Sequence, residues 1–168
     1  MRQIATIGYE GAMPEAFDAA LRAAGVELLV DVRAVAASRR KGFSKSALME
    51  RSRSDGREYL HLRDLGDPKA GREAARAGQY EFFREIFAEH MKTPRAAAAL
   101  RDLERLAGTC AIALLCYERD ADACHRSILA AHVARAANLT IVHLRVDDEA
   151  RRGRAGTNDR LGEGVAAG

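Results

Sequence analysis

Two nearly continuous apolar runs constrain the fold of this chain more than any other feature. They are Val26–Val32 (VELLVDV) and Cys110–Cys116 (CAIALLC). A strand that is apolar along most of its length is typical of a parallel sheet, because connecting helices cover such a sheet on both faces. The two runs therefore favour an α/β protein with two buried parallel strands.

Helical patterns alternate with three further predicted strands. We predict these strands at Gln3–Gly8, Glu58–Leu62 and Thr140–Leu144. Periodic apolar residues and capping residues predict helices over Pro14–Ala24, Ser44–Arg53, Gln79–Met91, Thr93–Gly108 and Asp122–Ala137, with a long polar loop over residues 65–78. This alternation predicts a Rossmann-like three-layer α/β sandwich around a mainly parallel sheet of about five strands.

Length and composition indicate a single cytoplasmic domain. The 168 residues suffice for one core, which we assign to residues 1–145, and the charged, Gly-rich residues 146–168 are expected to form a flexible tail. The net charge of +3 is too small to indicate nucleic-acid binding by itself. The chain shows neither a signal peptide nor an apolar segment of the ~20 residues that span a bilayer. With three cysteines and this context, we expect thiols that are free, metal-bound or catalytic.

Polar residues follow the predicted strands, where parallel α/β sheets bind their ligands. The first strand leads to Glu10, the second ends in Asp31 and Arg33, and the third carries His61. The fourth strand ends in the segment Cys116–Arg119, and the next helix would present Cys124, His125 and Arg126 at the same edge. We therefore expect these groups to line one crevice.

The two thiols beside His125 are the candidate nucleophiles. A cysteine at a helix N-terminus beside histidine and arginine should have a lowered pKa, which favours Cys124 over Cys116. Glu118, His125 and His61 are the candidate acid–base groups. Cys116 could instead be a small core residue, because free cysteine is among the most buried residue types.

Two other readings of the thiols remain open. A redox pair is possible if the loop between Cys116 and Cys124 folds back, although the spacing differs from C-x-x-C. A zinc site could use both cysteines and His125, with His61 as an optional fourth ligand. Adjacent helical residues, however, point about 100° apart, which argues against joint ligation by Cys124 and His125, and we assign no metal ligand.

Arginines around the crevice predict an anion site. Arg33, Arg39, Arg119 and Arg126 could bind a phosphate or carboxylate, with Glu10, Asp31 and Ser38 in the same crevice. Alternatively, Asp31 and Glu118 could pair with the arginines in a purely structural network.

The basic loop 38–45 (SRRKGFSK) raises a different possibility. Its cations and an exposed Phe43 could grip a nucleic-acid backbone and stack on a base. A solvated charged loop is the simpler interpretation of such a run.

Five stretches together resemble one known family. They are TIGYEG at 6–11, DVR at 31–33, SRRKGFSKSAL at 38–48, YLHLRDLGDPK at 59–69 and LLCYERDADACHR at 114–126. In this order and spacing they are similar to the domain of unknown function 488 family, the YeaO-like proteins. The resemblance implies a cytoplasmic Rossmann-like α/β domain and brings no established activity.

The residues thus predict a cytoplasmic enzyme with a Cys/His/Arg crevice for an anionic substrate. The alternatives are a nucleic-acid-associated module and a zinc-stabilised interaction domain. The expected partner is a small anionic molecule or a nucleic acid, and no membrane. The sequence leaves the cofactor unknown.

Overall fold

All the strands that the sequence predicts are present, and they pair in parallel. The computed structural model describes residues 2–146. Its strands are β1 (Gln3–Gly8), β2 (Leu28–Asp31), β3 (Glu58–His61), β4 (Ile112–Cys116) and β5 (Thr140–Leu144). They form one sheet in the order β3-β2-β4-β1-β5, and every pairing is parallel. The predicted Rossmann-like three-layer architecture is confirmed.

Helices cover both faces of this sheet. They are α1 (Pro14–Ala23), α2 (Lys45–Ser54), α3 (Lys69–Arg76), α4 (Tyr80–Met91), α5 (Pro94–Ala107) and α6 (His125–Ala137). On one face, Phe17 of α1 and Leu48 of α2 pack with Ile7 and its neighbours. On the other face, Phe87 of α4 and Leu129 of α6 pack with α3, α5 and the opposite side chains of the strands. The three inner strands β1, β2 and β4 are therefore buried on both faces, which explains their apolar sequences, whereas the edge strands β3 and β5 are only partly buried.

Side chains and glycines fix the helix ends as the sequence indicates. The Ser44 hydroxyl accepts from the backbone N–H of Ala47, and Thr93 makes the same bond to Ala96. Pro94 follows Thr93 at the first helical position, where its missing N–H needs no partner. Gly25 follows α1 with a φ of +62°, a conformation that favours glycine.

The predicted loop over residues 65–78 is wrong for most of its length. A three-residue 3-10 helix at Arg63–Leu65 leads into α3, which packs against α4. The buried positions of α3 are Gly71 and Ala74. The small residues of α3 face α4, with Gly71 next to Phe83 and Ile86, and its charged residues lie on the opposite side. The helix is therefore amphipathic, but the glycines and Pro68 in this stretch predict a loop and conceal it.

The last helix begins two residues later than predicted, since its N-cap is residue 124 and not residue 122. Cys124 is its N-cap, with extended backbone, and His125 is its first residue. Asp122 does not cap the helix, because the Asp120 carboxylate accepts the Asp122 N–H in a turn at 3.0 Å. The extended backbone of Cys124 at the N-cap determines the directions of the Cys124 and His125 side chains.

The position of β4 creates crevices at the carboxyl edge of the sheet. β4 lies between β1 and β2, whose chains lead to helices on one face, whereas the chain after β4 leads to α6 on the other. Ligand sites of open α/β sheets form where neighbouring connections diverge in this way. On each side of β4, therefore, the segment that follows β4 and the segment that follows the neighbouring strand run to opposite faces of the sheet.

The predicted tail falls almost entirely outside the described residues. Of residues 146–168, only Val146 is described, and it is buried against the α1 face. In the part of the chain that the structure describes, none of the helices is long and apolar enough to cross a membrane.

We predict that Gly8→Ala destabilises the fold. An added Cβ would lie 1.8 Å from the Glu118 carbonyl oxygen, so β1 and the segment after β4 must separate. The free energy of unfolding should fall by about 3 kcal/mol, measured by chemical denaturation. Gly71→Ala is the matched control, because its Cβ would meet Ile86 at an ordinary 3.5 Å. Equal stability of the two variants would contradict the close approach.

Candidate functional site

Two thiols and an imidazole form a buried cluster at the end of β4. The Sγ atoms of Cys116 and Cys124 and the Nδ1 atom of His125 all lie within 4.8 Å of one another. Nδ1 is 3.9 Å from the Cys116 sulfur and 3.8 Å from the Cys124 sulfur. All three side chains are at most 5% exposed. The structure therefore brings together three of the five predicted catalytic residues, which we call the thiol cluster.

Cys124 and His125 converge because they do not share helical geometry. Cys124 has φ −135° and ψ 142°, which is extended backbone, and only His125 belongs to the helix. The predicted angle of 100° between their side chains applies to two helical residues, so it does not apply here. The objection to a shared site is thereby removed.

A backbone carbonyl orients the imidazole of His125. Its Nε2 lies 2.8 Å from the carbonyl oxygen of Val32, directly after β2, so Nε2 carries a proton and donates it. The other nitrogen, Nδ1, is left facing the two sulfurs and the Asp67 carboxylate, 3.7 Å away. The Phe87 ring covers the imidazole at 5.4 Å between centroids.

The electrostatics favour a thiolate on Cys124 and an imidazolium on His125. Burial alone would raise the pKa of Cys124, but a hydrogen bond from Cys116 and the charges of His125 and Arg126 hold it well below the ordinary value. Burial opposes the charge on His125, yet the Cys124 charge and hydrogen bond, followed by Asp67, raise its pKa to about 9. Each charged partner thus stabilises the other.

The neighbouring acids keep their protons more readily than usual. A hydrogen bond to Cys124, burial and the charges of Cys124 and Glu118 raise the pKa of the Cys116 thiol well above its ordinary value. Burial and the Cys124 charge raise the pKa of Glu118 to about 7, and the Cys116 thiol lies 3.1 Å from its Oε2. Burial likewise raises the pKa of Asp67. Glu118 therefore adds an acid–base group beside the thiol cluster.

Asp31 and Arg33 form a separate, self-satisfied network. The Arg33 Nε and one terminal nitrogen donate to the two Asp31 carboxylate oxygens at 2.8 and 2.6 Å. Its other terminal nitrogen donates to the Tyr9 hydroxyl and the Phe43 carbonyl, both at 2.9 Å, and the Tyr59 hydroxyl donates to Asp31 at 2.6 Å. Although burial opposes the charge, the pairing with Asp31 raises the pKa of Arg33. This geometry matches the structural network that the sequence left open.

Arg126 ties the segment after β4 to the sheet. It is 1% exposed, and its terminal nitrogens donate to the carbonyls of Glu118 and Arg119 at 2.5 and 3.2 Å. Its Nε reaches the Thr6 hydroxyl at 3.4 Å. The guanidinium thus holds two consecutive residues of the loop in place.

A cavity of about 660 Å³ opens on the other side of this segment. Glu10, Arg119, Asp122 and Arg126 are among its lining residues, with Gly8 at the end of β1. The Glu10 carboxylate accepts the backbone N–H of Arg119 at 2.9 Å, which joins the loops after β1 and β4. Arg119 and Arg145 are exposed arginines that line this cavity, and the Arg119 guanidinium also donates to the Val146 carbonyl at 3.5 Å.

The remaining predicted residues lie outside the thiol cluster. Nε2 of His61 is 2.8 Å from the Arg33 carbonyl oxygen, beside the Asp31 network. Ser38 accepts from the Tyr9 hydroxyl at 3.3 Å, and Arg39 is exposed on the same loop.

The expected exposure of Phe43 is wrong. Its ring is fully buried, stacked on Tyr9 at 4.6 Å between centroids and edge-on to Phe17. Arg40 and Arg51 lie over the same ring, and Arg51 also pairs with Asp18. The basic loop therefore folds around an aromatic anchor and does not present it.

Asp67 is a neighbour of the thiol cluster that the sequence does not indicate. It lies in the stretch YLHLRDLGDPK, after the 3-10 helix, and is 8% exposed. Acidic residues are common in such loops, so only the packing of Gly66 against Ala34 and of α3 against α4 reveals that Asp67 turns inward.

The thiol cluster could also hold a soft metal ion. Two sulfurs and one imidazole nitrogen are ligands that zinc accepts, and a His ring anchored through its second nitrogen is common around metals. The side chains of Cys116, Cys124 and His125 supply this donor set.

The family model "Domain of unknown function DUF488" matches residues 13–133. The match covers most of the chain, which therefore belongs to this family of α/β domains, as the sequence motifs suggest. Neither the curated proteins nor the solved structures give a match to this chain.

We predict that Asp31→Asn destabilises the fold by about 3–5 kcal/mol, because it leaves the Arg33 charge buried without its partner. Chemical denaturation measures the change. Glu89→Gln is the matched control, since the Glu89–Lys92 pair is exposed and should contribute less than about 1 kcal/mol. Near-equal stabilities would show that the Asp31 network is not structural.

Proposed function

We propose that the chain is a cytoplasmic enzyme in which the Cys124 thiolate is the nucleophile for a small anionic substrate. The observation that carries this proposal is the buried contact of the Cys124 sulfur with Nδ1 of His125. A thiolate is a far better nucleophile than a thiol, and an adjacent imidazolium is a common means of forming one. Cys116 is the second thiol of the same centre.

His125 and Glu118 are the acid–base groups of this proposal. His125 carries a proton on Nδ1 that faces Cys124, and it can return that proton to a leaving group. The pKa of Glu118, at about 7, lets its carboxyl group give or take a proton near neutral pH. The His61 ring contacts the Arg33 carbonyl, so we give it a positioning role at the end of β3.

Arg119 supports the anionic nature of the substrate. The guanidinium groups of Arg33 and Arg126 are committed to protein acceptors, whereas the exposed Arg119 side chain lines the cavity and makes one long hydrogen bond, to the Val146 carbonyl at 3.5 Å. Charge-assisted hydrogen bonds from arginine are strong and suit phosphate or carboxylate. Arg39 lies further along the same edge, on the exposed loop.

Burial limits what can reach the nucleophile. Cys124 is 2% exposed, so the group that meets its sulfur must be small, or residues 117–123 must shift during binding. This requirement favours a small molecule over a polymer. A nucleic-acid module loses its main support because Phe43 is buried and unable to stack on a base.

We expect Cys124 to react with iodoacetamide at lower pH than an ordinary thiol. The alkylation rate of Cys124 is followed by peptide mass spectrometry across pH. The pH at which this rate is half-maximal should be lower than the corresponding pH for N-acetylcysteine. His125→Asn should move this midpoint upward, because it removes the positive charge that stabilises the thiolate.

His132→Asn is the matched control for that measurement. His132 lies on the same helix, half-exposed and paired with Glu104, away from the thiols. A Cys124 midpoint at the ordinary value of ~8.5 would defeat the proposal. Stoichiometric zinc in the purified protein, found by elemental analysis, would defeat it too and would favour a zinc-stabilised domain.

We expect Arg119→Gln to weaken binding of inorganic phosphate by about tenfold or more, since it removes charge-assisted hydrogen bonds. Isothermal titration calorimetry gives the affinities. Arg135→Gln, at the far end of α6, is the matched control. Absence of binding to the wild-type protein, or an equal loss in both variants, would exclude the cavity as an anion site.

A further inference from the structure

The two sulfurs of the thiol cluster are placed to react with each other. Cys116 ends β4 and Cys124 is the N-cap residue of α6, yet their Sγ atoms lie within 4.8 Å of one another. A disulfide needs the sulfurs at about 2.05 Å, so the side chains must approach further. The seven residues between the two cysteines form a loop. Cys116 is the last residue of its strand and Cys124 directly precedes its helix, so both cysteines adjoin this loop.

We propose that Cys116 and Cys124 form a two-thiol redox centre that a small hydroperoxide converts into a disulfide. This inference rests on the proposed function in one respect: the disulfide ties up the nucleophile and so switches the enzyme off. Burial supports a small oxidant, because a protein disulfide or other large partner cannot contact a sulfur that is 2% exposed.

The first step oxidises Cys124. Its thiolate sulfur attacks one oxygen of the hydroperoxide, an S–O bond forms, and the O–O bond breaks. The departing oxygen takes the proton from Nδ1 of His125, 3.8 Å from the sulfur, and leaves as water or alcohol. Sulfur loses two electrons and the peroxide gains them.

The second step uses Cys116. Its sulfur attacks the sulfenic sulfur of Cys124, an S–S bond forms and the S–OH bond breaks. The Cys116 proton leaves with the hydroxyl group as water, so two thiols and one hydroperoxide give one disulfide and two oxygen-containing products. An external small thiol restores both cysteines by exchange.

Cys110 has no part in this centre. It precedes β4 at the opposite edge of the sheet, and its thiol contacts the Leu106 carbonyl. Cys110→Ser is therefore a matched control for the loss of one thiol.

Peroxide treatment of the reduced full-length protein tests the proposal. Free thiols are blocked with N-ethylmaleimide after exposure to stoichiometric hydrogen peroxide, and tryptic peptides are analysed by mass spectrometry. Trypsin cleaves after Arg119, between the two cysteines, so the disulfide appears as two joined peptides. We expect this product in the wild-type protein and in Cys110→Ser.

The single-thiol variants give the complementary result. Cys116→Ser should accumulate a sulfenic acid on Cys124 that dimedone traps, whereas Cys124→Ser should leave Cys116 unoxidised. Circular dichroism checks their folding, and the wild-type result stands without them. Sulfinic acid on Cys124 without a disulfide, or a disulfide through Cys110, would overturn the proposal.

Alkylation and oxidation separate this inference from the proposed function. A disulfide with an ordinary pH profile for Cys124 supports the redox pair and defeats the activated nucleophile. A lowered alkylation midpoint without any disulfide supports the activated nucleophile and defeats the redox pair.

Discussion

The insertion of β4 between β1 and β2 is the constraint on which the site depends. It brings the carboxyl end of β4 next to the end of β2, so that the carbonyl of Val32 can accept the Nε2 proton of His125. That one hydrogen bond fixes the orientation of the ring and turns Nδ1 toward both sulfurs.

Burying charged groups in the thiol cluster costs desolvation free energy, and contacts with neighbouring groups offset this cost. Moving an ion pair out of water costs several kcal/mol per ion, which pairing recovers only when the remaining donors and acceptors are satisfied. Nε2 of His125 has its carbonyl, the Cys124 sulfur has the Cys116 thiol, and Arg126 has two carbonyls nearby. Apolar side chains of similar volume would stabilise the fold equally well or better. A polar centre in this position is therefore better explained by chemistry than by stability.

The sequence predicts the edge at which the site forms but not the partners inside it. Strands with apolar faces, capped helices and polar strand ends are local features, so the sheet, Cys116, Cys124 and His125 could be placed together. Arg33 and Arg126 could not be sorted from Arg119, because each guanidinium is the same in sequence and only tertiary contacts decide which acceptors it reaches. The burial of Phe43 and Asp67 could not be predicted for a similar reason, because loop residues turn inward only when other parts of the chain cover them. The helix α3 is amphipathic, but Pro68, Gly71 and Gly78 are residues typical of loops and therefore conceal it.

Arg126 connects the two halves of the proposed site. By binding the carbonyls of Glu118 and Arg119 it fixes two consecutive residues. Their side chains lie in different places, one at the thiol cluster and one at the cavity. The Glu118 carboxyl reaches the Cys116 thiol, and the Arg119 side chain lines the cavity. An anion held by Arg119 is then one residue along the chain from the acid–base group that contacts the thiols. The loss of the Arg126 guanidinium would release both residues together, so its role in the site is to hold the anion cavity and the thiol cluster in a fixed relation.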